Sequence, residues 1–150
     1  METRELVWLE MMKNYGLSEI PGPIHNQTII SWFFELGFPW IKDDETAWCS
    51  LALNIAAKHA GCEYTGKLDA RSWLKIGTKV IEPKIGHVVV FGLKGSWKGH
   101  VGLYAGYNEL HHRIFTLGGN QGNKICISPY LPKNDNGLEF LGYRELKLLK

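Results

Sequence analysis

The sequence predicts an α+β domain, with helices in its first half and strands in its second. Three observations carry this. Up to Ala60, apolar residues recur at helical spacing between turn formers. Gly37, Gly61 and Gly77 each follow such a run and stop it. From Val80 onward, apolar residues gather instead in short β-type runs separated by Gly, Asn, Lys and Pro. A chain of 150 residues is expected to form one domain, 1–150, with 1–18 as an N-terminal helical extension.

The elements follow in order. Thr3 to Asn14 reads as a first helix with Thr3 as its cap, ended by Tyr15-Gly16. Ile20-Pro21-Gly22-Pro23 is a turn, because each proline also pushes its predecessor out of the helical region. Asn26 or Thr28 opens a second helix, Ile29 to Leu36, closed by Gly37. Asp44 or Thr46 is expected to cap a third, which ends at Gly61. Along it Cys49, Ala52, Ala56 and Ala60 fall on one line, so the Cys49 sulfur points toward whatever the helix packs on. Asp69 to Lys75 is a short fourth helix. Val88–Phe91, Val101–Tyr107, Arg113–Leu117, Lys124–Ile127 and Glu139–Arg144 read as strands, forming an antiparallel meander in sequence order.

Bulk properties narrow the function. Apolar residues make up 45% and charged residues 21%, ordinary for a globular protein. A net charge of +2, with bases scattered among acids, excludes charge-driven nucleic-acid binding. No apolar run is long enough for membrane insertion, and the first residues lack a signal-peptide pattern. The expectation is therefore synthesis in the cytoplasm, with any action at the cell wall or periplasm following release or delivery. The three cysteines are irregularly spaced and form no CxxC pair, which argues against a zinc ribbon or a disulfide framework. His87 and His111–His112 are expected to be solvated, and His25 and His59 have no partner in the local sequence. No metal or cofactor is expected.

Most free cysteines are small buried apolar residues. Cys49 differs because it stands in the first turn of a helix, where unpaired N–H groups and the helix dipole favour a thiolate. His100 follows about fifty residues later in Gly99-His100-Val101-Gly102. Its flanking glycines strip bulk from its face of the strand and would let a helix end lie close over it. A hairpin turn centred on residue 110 makes paired residues sum to about 220, which sets His100 opposite Asn120. A Cys–His pair needs such a third group to orient the ring. Asn120 is the first candidate and Gln121 its neighbour, with a slip of one residue exchanging their faces. Trp48 and Trp97 lie next to these stations and are candidate cleft walls. Asp43, Asp44 and Glu45 either cap the helix or touch substrate. The candidate substrate contacts are thus Asp44, Trp48, Trp97 and Gln121.

Five blocks stand in order: Asp44-Glu45-Thr46-Ala47-Trp48-Cys49-Ser50, Ala70-Arg71-Ser72-Trp73-Leu74, Gly86 to Phe91, Gly99-His100-Val101-Gly102, and Leu117-Gly118-Gly119-Asn120-Gln121. Together they resemble the CHAP and NlpC/P60 superfamily of papain-like cysteine peptidases and amidases, and most of all its compact phage and bacterial CHAP-like members. The likeness runs from about Glu19 to Arg144. It implies a papain-like fold with the nucleophile helix packed on the sheet. It also implies Cys49 as nucleophile, His100 as general base and Asn120 as the orienting residue. The implied function is that of a monomeric peptidoglycan hydrolase, an N-acetylmuramoyl-L-alanine amidase or an endopeptidase, acting as a phage endolysin or a delivered antibacterial toxin. Gly86-His87 stands where related sequences carry Gly-Asp, and Gly118 where many CHAP domains carry a glutamate. The alternatives are an intracellular cysteine peptidase or acyltransferase, and an inert papain-like binding or virion component.

Overall fold

The computed structural model describes residues 1–44 and 46–149. Helix α1 spans Thr3–Met12, with Glu2 as N-cap and its N–H held by the Glu5 carboxylate. Val7 and Met11 of this helix are buried in the core. Helix α2, Gln27–Leu36, begins as its sequence asks. The Asn26 side chain accepts from Thr28 N–H (2.9 Å) and Ile29 N–H (3.3 Å). It ends at Gly37, whose φ of 101° is left-handed.

Helix α3 spans Cys49–His59 and is buried along nearly its whole length. Its start differs from expectation. Trp48 is the N-cap, and among the described residues no side-chain hydrogen bond caps the helix. Asp44 and Thr46 are engaged elsewhere: Thr46 N–H and Oγ1 both donate to an Asp43 oxygen (2.7 and 2.9 Å), shaping the approach to Cys49. The fourth helix is a 3-10 turn, Ala70–Lys75.

The strands are β1 (Thr78–Val80), β2 (Val88–Leu93), β3 (Gly99–Asn108), β4 (Arg113–Gln121), β5 (Lys124–Tyr130) and β6 (Leu138–Glu145). They form one antiparallel sheet in the order β1-β6-β2-β3-β4-β5. The α+β class is as expected, and β2 to β5 are the expected meander. β6 does not continue it. The outer edge of β5 is already taken by the chain after α1, where Gly16 N–H donates to Ile125 O and Glu19 N–H to Asn123 O. β6 therefore pairs with β2, and β1, which the sequence did not reveal, covers it.

The helices pack on one face of the sheet, against Val88, Val90, Val101, Leu103, Leu117 and Ile125. They come close at Gly119, where a Cβ would lie 2.7 Å from the Trp48 ring and 2.9 Å from Ala52 Cβ. A smaller apolar cluster, including Val89, Phe91 and Ile114, covers the other face. The sheet curls around that cluster: the rings of Phe91 of β2 and Tyr130 of β5 lie 5.0 Å apart although two strands lie between them.

Among the remaining histidines, His87 is buried rather than solvated. Its Nδ1 accepts from Lys84 N–H (2.9 Å) and its Nε2 faces Glu145 (3.0 Å). Among the described residues no helix is long and apolar enough to cross a membrane.

Candidate active site

Cys49 is the first residue of α3 and His100 the second of β3. His100 pairs with Phe91 across β2 and β3, so it lies on the face away from the helices. It was expected on the helix side, with Gly102 making room. The two residues meet instead at the end of the sheet. The β3–β4 ladder runs only as far as Leu103 and Leu117. Beyond it the start of α3 comes in, and the Val101 backbone N–H favours the charged form of Cys49.

Each partner shifts the other. Burial works against a Cys49 thiolate, but His100 and the Val101 and Ser50 N–H groups outweigh it and hold the thiol below the usual cysteine range. Burial likewise works against a charged His100, but Cys49 and Gln121 outweigh it and hold the imidazole above its usual range. The arrangement favours a thiolate–imidazolium pair. Cys62, also buried, shows the contrast: burial, reinforced by the Glu63 charge, pushes its thiol up.

The third member is Gln121. Its Oε1 lies 2.8 Å from His100 Nε2. Its amide orientation is fixed by its other end, where Nε2 donates to Thr116 O (3.0 Å) and Cys126 O (2.6 Å). Flipping the amide would set an oxygen against two carbonyl oxygens. Oε1 therefore accepts, His100 Nε2 carries the proton, and Nδ1 is the nitrogen left for the thiol.

Asn120, expected in this role, does not fill it. Its backbone is left-handed (φ 58°), and its side chain makes no hydrogen bond among the described residues. The hairpin register was legible: Leu103↔Leu117 and Tyr104↔Thr116 sum to 220, and the pairs nearer the turn to 221. An irregularity between Gly118 and Gln121 then shifts the side-chain alternation by one, and Gln121 turns inward.

An aromatic setting completes the histidine. Tyr130 stacks on its ring at 5.2 Å and 29°, and Phe91 lies at 6.5 Å. Burial, reinforced by the nearby Cys49 charge, holds the Tyr130 phenol protonated well above its usual range. Nothing in the local sequence marked Tyr130, because its contact is made by the curl of the sheet.

A cleft of about 380 Å³ opens beside Cys49 and is lined by Thr46, Ala47, Asp69, Trp97 and Lys98 among others. Trp97 is 69% exposed and stands where a substrate wall was expected. The other candidate contacts are placed differently. Asp44 is fully buried, accepting from Ile20 N–H (2.7 Å), Asn26 N–H (2.6 Å) and the His25 ring (3.1 Å). It fastens the loop before α2 and is not among the residues that line the cleft beside Cys49. Trp48 is also fully buried, its indole N–H donating to Glu19 (2.9 Å). Gln121 serves the histidine. Glu45 lies outside the described residues. Asp69 and Lys98, which the sequence reading passed over, line the cleft.

No protein-family model matches the sequence. No curated protein matches it either. Among solved structures, the chain is similar to a Staphylococcus aureus protein described as similar to a lipoprotein of the NLP/P60 family. The TM-score is 0.52 at 15% identity, over 100% of this chain. The chain spans 44% of that protein's length. The likeness shows the fold: papain-like, of the NlpC/P60 type.

Proposed function

We propose that this chain is a cysteine hydrolase that cleaves an amide bond in the stem peptide of peptidoglycan. The observation that carries the reading is the buried Cys49–His100–Gln121 constellation, opening on a cleft at the start of α3. The NlpC/P60-type fold and the ordered sequence blocks support the choice of polymer.

The chemistry follows from the proton positions. The Cys49 thiolate attacks the amide carbonyl carbon, forming a C–S bond. The oxyanion is met by first-turn N–H groups of α3, of which that of Cys49 itself has no partner within the helix. As the C–N bond breaks, His100 Nδ1 gives its proton to the leaving amine. His100 then takes a proton from water, which attacks the thioester and releases a carboxylate. Gln121 holds the ring in the one tautomer that serves both steps.

On this reading the enzyme reaches the wall by release through a membrane lesion or by a secretion machine, as an endolysin or a delivered toxin does. Digestion of purified sacculi, with products identified by mass spectrometry, tests it. Wild type should release one defined new amine and Cys49→Ala none; equal release from both would defeat the reading. The identity of the new amine separates amidase from endopeptidase.

A further inference from the structure

The face of the sheet away from the helices carries a chain of rings that begins at His100. Tyr130 stacks on His100 at 5.2 Å and lies 5.0 Å from Phe91. Phe91 meets Phe140 edge-on at 6.5 Å, and Phe140 lies 4.6 Å from Tyr143. Tyr143 meets Tyr104 edge-on at 5.5 Å. Register puts these residues on one side of the sheet, since Phe91 pairs with both His100 and Phe140, and Val89 with Tyr143. Tyr107 joins them by pairing with Ile114 of the same apolar cluster. Phe91 is fully buried, Phe140, Tyr143 and Tyr104 are half-buried, and Tyr107 is exposed. The rings therefore run unbroken from the histidine to water.

Two further features identify the kind of ligand this face suits. The Tyr107 hydroxyl meets the His112 ring (3.2 Å), but those of Tyr104 and Tyr143 have no hydrogen-bond partner among the described residues, and neither is sealed from water. Burial, reinforced by the neighbouring phenols, holds both protonated, Tyr143 up to about 12, so each offers a donor. The second feature is the lack of charge. Val89–Phe91, His100–Tyr104, Ile114–Gly118, Cys126–Tyr130 and Phe140–Tyr143 form the body of the sheet and contain no Lys, Arg, Asp or Glu. A charged peptide or an anionic membrane would find nothing here to pair with. A purely apolar partner would strand the two hydroxyls. Flat rings edged with free hydroxyls match a neutral ligand with C–H faces and many hydroxyls of its own, which is a pyranose.

We propose that this face binds sugar rings. The N-acetylhexosamine strand that bears the stem peptide lies across Tyr104, Tyr107 and Tyr143, while the peptide enters the cleft at Cys49. The inference rests on the proposed function for the identity of the polymer. It adds that the sugar is held apart from the scissile bond, by stacking and phenol hydrogen bonds and without charge.

Calorimetric titration of the intact chain with tetra-N-acetylchitotetraose, a neutral β-linked sugar tetramer, tests this without hydrolysis. Binding should be saturable and unaffected by salt. Tyr107→Ala, at an exposed position, should weaken it about threefold to tenfold. Tyr143→Phe, which keeps the ring and removes the hydroxyl, should weaken it about threefold. No saturable binding, or binding that neither variant weakens, would overturn the inference. So would a dimer in sedimentation that Tyr107→Ala dissolves, since the face would then belong to a second copy. During digestion of sacculi the tetramer should compete, and an unchanged rate at saturating tetramer would also overturn the inference. If sacculi are not cut at all, the choice of polymer fails, and the titration still decides whether the face binds sugar.

Discussion

Gln121 sets the proton on His100, and through His100 the state of Cys49. Its carboxamide spends both amide protons on carbonyls and has only its oxygen to offer the ring. Removing it leaves His100 free to turn and withdraws one of the groups that raise its pKa. Gln121→Ala should therefore lower the hydrolytic rate about a hundredfold. The pH profile should narrow from both sides. The alkaline limb reports loss of the His100 proton and should move down. The acid limb reports thiolate formation and should move up, because a less charged ring stabilises the thiolate less. A profile that keeps its shape would show that Gln121 does not act through the ring. At this scale the sequence was informative where the signal is local. Cys49 at a helix start and His100 among glycines were both legible. The choice between Asn120 and Gln121 was not, since it turns on a one-residue irregularity that follows Gly118, and alternation cannot foresee that.

The start of α3 depends on contacts made far along the chain. Sequence alone offered Asp44 or Thr46 as its cap, and such a local bond is the default for an acid before a helix. The fold uses Asp44 instead to gather Ile20, His25 and Asn26, between 18 and 24 residues away. Burial opposes its charge, but the two backbone N–H groups and His25 outweigh that and hold its pKa below the usual carboxylate range. The stabilisation is thus present in full above about pH 4, the unfolded value, and is lost as pH falls through the folded one. Asp44→Ala leaves two part-buried N–H groups without an acceptor. It should cost about 3 kcal/mol in chemical denaturation while leaving Cys49 and His100 in place. A loss of activity at unchanged stability would return Asp44 to the substrate side. The Asn26 cap of α2 was legible because its partners are two and three residues away.

Across the whole molecule, the division into helices and strands was legible because apolar periodicity is a property of each segment. Strand order was not, because pairing depends on which edges are already covered. The segment after α1 covers β5, so β6 must return to β2. That segment and α1 are therefore structural. Deleting residues 1–18 removes Val7 and Met11 from the core and uncovers an edge strand. The shortened chain should lose its cooperative thermal transition. An unchanged transition would show that α1 is the appendage its position suggested. The curl of the sheet, equally hidden from the sequence, brings Tyr130 onto His100 and closes the far side of the site. All of these levels converge on one sulfur. Alkylation by iodoacetamide at mildly acidic pH, mapped cysteine by cysteine, reads its state directly. Cys49 should react at least about tenfold faster than Cys62 and Cys126 and lose that lead in His100→Ala. Equal rates at the three cysteines, or a lead that survives the loss of His100, would contradict an activated Cys49–His100 pair.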